Sequence, residues 1–168
     1  MKEKSTKVYT FIAMFMAVTI VLSFFNQFIP SLPQGGSISF DIIAIFLCSY
    51  LIDRKYAIIV GVGVSILQFI LGMAVYYGPW SVLFDYVLPL SVCGLAGYFP
   101  NIKIGKYECY IGVIVSMMLK YMSHFISGAF VFAMYAPEGV NPIIYSLAYN
   151  LPYNLLTLIL CMCVVPSM

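Results

Sequence analysis

Six apolar stretches, approximately 8–29, 39–52, 56–75, 80–99, 107–135 and 142–166, take up almost the whole chain. The breaks between them are short. They hold Pro30 to Gly36, Asp53-Arg54-Lys55, Gly78-Pro79, Pro100 to Lys106 and Pro137-Glu138-Gly139, the Pro, Gly and charged residues that interrupt regular structure. At ~20 residues per spanning helix plus short connections, 168 residues accommodate about six spans and no water-soluble domain beside them. The second stretch is short for a span, so the loop before it is expected to dip into the protein, or the membrane to thin locally. A water-facing fold is excluded by composition. The chain is 63% hydrophobic and 8% charged, with a mean hydropathy of +1.02, where a soluble domain is roughly half apolar and a quarter charged. That rules out a soluble enzyme and a disordered tail. A net charge of +2 from eight basic residues also makes no phosphate-binding face, so no nucleic-acid partner is expected. The sequence predicts an all-α membrane protein, a six-transmembrane-helix bundle forming a single domain over 1–168, with the lipid bilayer as its solvent.

Orientation follows from the basic residues. Lys2, Lys4 and Lys7 precede the first stretch, Arg54 and Lys55 separate the second from the third, and Lys103 and Lys106 separate the fourth from the fifth. The connections at 30–38, 76–80 and 136–141 contain no Lys or Arg. By the positive-inside rule both termini are cytoplasmic, in a multi-pass protein of the cell membrane. The first stretch has the basic flank of a signal peptide, but its apolar run is too long and no small-residue cleavage site follows, so it is expected to persist as a helix. The five cysteines lie in or at the ends of apolar stretches and read as small hydrophobes. Cys161-x-Cys163 lacks metal-ligand spacing, so neither a metal nor a cofactor is expected.

Depth is then computable from the helical rise of 1.5 Å per residue. Asp85 and Tyr86 fall roughly 8–9 Å below the outer start of the fourth helix, His124 roughly 15 Å below the outer end of the fifth, and Tyr145 and Asn150 roughly 5 and 12 Å into the sixth. Asp41 opens the second helix. Polar groups from four stretches thus converge on one outer level, as a ligand site open to the outside requires, because ionisable groups at membrane depth face a cavity or a partner. Each residue also has a plainer reading. Asp85 serves equally as counter-ion to Lys120, the only basic residue in mid-membrane. His124 lies one turn after Lys120 on the same helix face and serves as well for an interhelical hydrogen bond. Tyr145 fits an interfacial anchor, Asn150 fits helix–helix glue, and Phe132 and Tyr135 fit lipid-facing or core aromatics. Ala13-x-x-x-Ala17 permits close helix approach, as in many bundles. No G-x-x-x-x-G-K-[ST] loop is present, so the chain does not power transport by itself. Ser127 stands three residues from His124 without making a nucleophile–base couple, and no enzymatic activity is expected.

Five blocks in order carry a resemblance. They are Pro33-Gln34-Gly35-Gly36-Ser37-Ile38-Ser39, Leu83-Phe84-Asp85-Tyr86, Lys120 through Gly128, Tyr135-Ala136-Pro137-Glu138-Gly139, and Tyr145-Ser146-Leu147-Ala148-Tyr149-Asn150. Together they resemble the ThiT family, the thiamine-specific substrate-binding (S) components of energy-coupling factor (ECF) transporters. The resemblance implies six transmembrane helices with cytoplasmic termini and a thiamine pocket near the outer face, closed over by the loop after the first helix. It also implies partners, namely a transmembrane T component and two cytoplasmic ATPase subunits. Matched residue by residue, it assigns substrate binding to Asp85, Tyr86, His124, Phe132, Tyr145 and Asn150, and docking of the T component to Ala13 and Ala17. Some members of that family carry Glu in place of Asp85 and Trp in place of Phe132. The chemistry is coherent: a carboxylate favours the thiazolium cation, an aromatic face stacks on a ring, and His, Tyr and Asn read the aminopyrimidine edge. The alternative is an S component for a thiamine precursor or another small vitamin.

Overall fold

A computed structural model describes residues 2–32, 36–105 and 107–167, with the side chains of 2–5, 104 and 107 excepted. Pro33, Gln34 and Gly35 of the first resemblance block, and Lys106 of the orientation argument, lie outside the described residues. The chain is mostly helical. The helices are α1 (Lys2–Asn26), α2 (Asp41–Leu51), α3 (Arg54–Ile70), α4 (Pro79–Tyr98), α5 (Ile111–Val131) and α6 (Pro142–Ser167). Four described segments are long and apolar enough to cross a membrane: Thr6–Asn26, Pro79–Tyr98, Ile111–Val131 and Pro142–Ser167.

The helix starts are chemically marked. Asp53 caps α3 by accepting from the Lys55 amide at 2.7 Å, and Asn141 caps α6 by accepting from the Ile143 amide at 2.9 Å, each satisfying an amide that has no partner within the helix. Pro79 and Pro142 stand in the first turns, where a missing N–H costs nothing. At 11 residues α2 is only about 16 Å long. Its middle, Ile42 to Phe46, is apolar and buried, with Asp41 at its start and Leu51 exposed at its end. Ile42, Ile45 and Phe46 form the centre of a core completed by Val60 and Val64 of α3, Cys93 of α4, Val113 of α5 and Cys161 of α6. The expected dip before α2 is present: the Gly36 and Ser39 amides donate to side chains of α6. Close approach of α3 and α4 depends on Gly61 and Gly94, because a Cβ at either would collide with the backbone at Leu90 or Ile58.

Two local structures depart from the sequence reading. The fifth stretch does not begin as helix, because Tyr107–Cys109 pairs with Ile102–Ile104 in an antiparallel hairpin turned at Gly105 (φ 63°). Alternation in 102–109 outweighs its continuity with the apolar run that follows. Also, α4 and α5 are not α-helical throughout. Each contains a π-turn, Val82–Val87 in α4 and Ser127–Val131 in α5. In α4 the wide turn precedes Pro89, which has no N–H to give the carbonyl four residues back. The outer surface is apolar, with Phe24 on α1, Phe28 just after it, Phe130 on α5 and Leu151 and Leu155 on α6 all exposed. Such a continuous apolar surface matches a lipid environment.

Candidate functional site

The two π-turns face one cavity. It has a volume of about 530 Å³, within the range of small-molecule sites. Asp85 and Tyr86 sit on the π-turn of α4, and Gly128 on that of α5, consistent with the tendency of such turns to occur at functional positions. Asp85, Tyr86, His124, Phe132, Tyr145 and Asn150 all line this cavity.

Asp85 is the cavity's carboxylate. Its Oδ2 accepts from Ser81 Oγ at 3.0 Å and Ser127 Oγ at 2.8 Å, while Oδ1 lies 3.6 Å from His124 Nδ1. The pairing with His124 settles two points left open by sequence. The imidazole is oriented by a carboxylate, and the basic group beside Asp85 is His124 rather than Lys120. Lys120 is buried and donates from Nζ to Asn154 Oδ1 at 3.1 Å, with the Tyr153 ring 5.9 Å away.

The remaining walls are aromatic and amide. Phe132 meets Tyr77 edge to face at 5.1 Å and Tyr135 at 5.9 Å, making a ring wall just past the end of α5. Tyr86 is held by Val75, whose amide donates to the phenol oxygen at 3.0 Å and whose carbonyl accepts from it at 3.3 Å. Asn150 donates to the Ser146 carbonyl at 2.8 Å and Ser146 Oγ at 3.1 Å, and its Oδ1 accepts from Tyr153 Oη. Tyr145 lies against Tyr149 at 5.8 Å. Gly128 brings α5 against α6, since a Cβ there would strike Ser146 Oγ.

Sequence reasoning missed several lining residues. Tyr149 and Tyr153 continue the Tyr145 stripe at four-residue spacing, a signal that was present; Ser81 and Val75 carried none. One expectation is corrected. Asp41, counted with the polar groups of the outer level, is buried outside the cavity lining. Trp80 is exposed, stacks on Phe84 at 6.3 Å and lines a separate apolar groove, so it reports only indirectly on the cavity. Ala13 and Ala17 lie exposed on α1 and are not among the residues lining this cavity.

Residues 9–168 match the family model described as Thiamine transporter protein (Thia_YuaJ). The chain belongs to that family. It is similar to the thiamine transporter ThiT of Bacillus subtilis (strain 168), at 31% identity over 160 residues, covering 89% of this chain and 83% of that protein. The fold is that of the solved ThiT structure from Listeria monocytogenes, with a TM-score of 0.81 at 20% identity, covering 98% of this chain and 93% of that one. The family members are transporters.

Proposed function

We propose that this chain binds thiamine in the cavity beneath the Gly36–Ser39 segment and acts as the S component of an ECF-type importer. The observation that carries this reading is the Asp85 carboxylate: a half-buried anion, preorganised by two hydroxyl donors, beside an aromatic wall. A cationic heteroaromatic ligand fits both features. The carboxylate opposes the thiazolium charge, and the Phe132 face adds stacking and a cation–π attraction of ~0.5–2 kcal/mol. His124, Tyr145 and Asn150 supply donors and acceptors for the aminopyrimidine edge. Family membership and the relative's name support thiamine as the ligand.

In this reading residues 1–168 act as one binding domain with six spans and both termini cytoplasmic. Arg54, Lys55 and Lys103 mark the inner side, and the cavity opens at the other end, near the starts of α4 and α6. Ala13 and Ala17 offer a flat stripe to a transmembrane T component, and two cytoplasmic ATPases supply the energy this chain has no motif to harvest. The protein binds and releases its ligand unchanged.

The test is a binding titration of purified protein with thiamine against a panel of other vitamins and thiamine precursors. Stoichiometric, saturable binding with thiamine the tightest ligand is expected. A different vitamin binding more tightly would reassign the ligand, and conversion of thiamine to a product would overturn the binding-subunit reading.

A further inference from the structure

Asp41 is the buried carboxylate that the cavity does not use. It opens α2, is 5% exposed, and every partner the structure gives it is neutral. Oδ1 accepts from Asn26 Nδ2 at 3.0 Å and from the Ile42 amide at 3.1 Å, and Oδ2 accepts from Ser23 Oγ at 3.0 Å. Ser23 Oγ in turn accepts from Gln68 Nε2 at 3.0 Å. Four side chains from α1, α2 and α3 thus form one hydrogen-bonded cluster at membrane depth. Apolar side chains of similar volume would hold three helices together at lower desolvation cost, so stability alone does not account for a carboxylate here.

What the cluster holds is more specific than helix packing. Asn26 uses its other end, Oδ1, to accept from the Phe40 amide at 2.9 Å. Phe40 ends the segment whose Gly36, Ser37 and Ser39 line the cavity, and whose Gly36 and Ser39 amides reach Tyr149 Oη and Thr157 Oγ1 of α6, each at 3.2 Å. On the other side Gln68 stands near the end of α3, and its carbonyl accepts from the amides of Met73 at 2.8 Å and Ala74 at 3.2 Å. The next residue, Val75, lines the cavity and holds Tyr86 by two hydrogen bonds. The cluster therefore lies at the root of two separate pieces of cavity wall, Gly36–Phe40 and Val75 with Tyr86.

We infer that Asp41 is a positioning residue for the bound ligand. It touches no ligand; through Asn26 it fixes the Gly36–Phe40 wall, and through Ser23 and Gln68 it fixes the Val75–Tyr86 wall, so that both walls are preorganised when the ligand arrives. The ligand arm of the test rests on the thiamine-binding reading, whereas the exchange arm does not.

Asp41→Asn keeps the volume but turns one acceptor into a donor facing Asn26 Nδ2 or Ser23 Oγ. Hydrogen exchange of the ligand-free protein in detergent is expected to accelerate on the order of tenfold at Ser39 and Phe40, the scale of one lost hydrogen bond to a charged group, with α5 and α6 amides unchanged. Thiamine dissociation is expected to speed up by a similar factor, with the association rate changed less than twofold. Asn26→Ala removes the Phe40 acceptor while leaving the carboxylate, and is expected to reproduce both effects. It decides the matter should Asp41→Asn fail to fold. Unchanged exchange at 39–40, or acceleration spread evenly over all helices, would overturn the inference by making Asp41 a general packing residue. So would an unchanged dissociation rate in variants with loosened walls. Failure of the wild type to bind thiamine would instead sink the ligand assignment, leaving the exchange result to judge Asp41.

Discussion

Asp85 concentrates the chemistry at the residue scale, and its surroundings make a clean substitution available. In Asp85→Asn the amide oxygen can keep both the Ser81 and Ser127 hydroxyls, leaving the amide nitrogen toward His124 Nδ1, so the fold has no reason to change. The charge is lost, together with the acceptor that faced His124 Nδ1. Breaking a buried charge pair costs ~3–5 kcal/mol, so thiamine binding is expected to weaken by roughly two to three orders of magnitude. A neutral thiamine analogue is expected to lose much less. Equal proportional losses in paired titrations of the two ligands would make Asp85 a structural partner of His124.

The elements make two separable demands, one inside the bundle and one on its outer face. Inside, α3 and α4 approach through glycine, and Gly94→Ala would drive a methyl group into the backbone at Ala57 and Ile58. Overpacking of this kind costs ~1–3 kcal/mol, so the detergent-solubilised variant is expected to unfold at a lower temperature than wild type; an unchanged melting point would show that the contact yields. On the outer face, Ala13 and Ala17 lie exposed on α1. Replacing either with Leu is expected to abolish transport by the assembled importer and leave thiamine affinity within about twofold, since neither residue lines the cavity and small residues on an exposed face matter for close approach of another helix. Parallel loss of binding and transport would place the stripe in the chain's own packing. The helical period made the stripe legible in the sequence. The π-turns were not legible, because Pro89 marks where an α-helical hydrogen bond is missing without saying how the backbone absorbs the loss.

The whole molecule is a bundle with an apolar exterior, a short buried helix at its centre and a polar cavity toward one end. The sequence carries no G-x-x-x-x-G-K-[ST] loop, so in the proposed reading proteoliposomes containing this chain alone are expected to show no ATP-driven uptake of labelled thiamine, and addition of a T component with two ATPases is expected to restore it. Concentrative uptake by the lone chain would contradict the binding-subunit reading. Residues far apart in sequence meet in the cavity because the helices and loops that carry them pack around it.

Membrane class and the rough number of helical stretches were legible in the sequence alone, and an expected depth for each polar group was computable from it. Lipid offers no hydrogen bonds, so an apolar chain must satisfy its backbone internally, and a constant rise per residue then converts position into depth. That is why the sequence assigns Asp85, Tyr86, His124, Tyr145 and Asn150 to one level. Rotation about the helix axes and the contacts between helices belonged to the tertiary structure. Lys120 and His124 share a helix face, so either satisfied the sequence as partner of Asp85; one turn of height gave Asp85 to His124 and Lys120 to Asn154. Asp41 and Asp85 were both carboxylates of the outer half, and only the packing of α2 against α1 and α3 turned Asp41 away from the cavity to its neutral donors. Which side chain meets which depends on distances between helices, and those follow from the simultaneous packing of all of them, which no local pattern encodes.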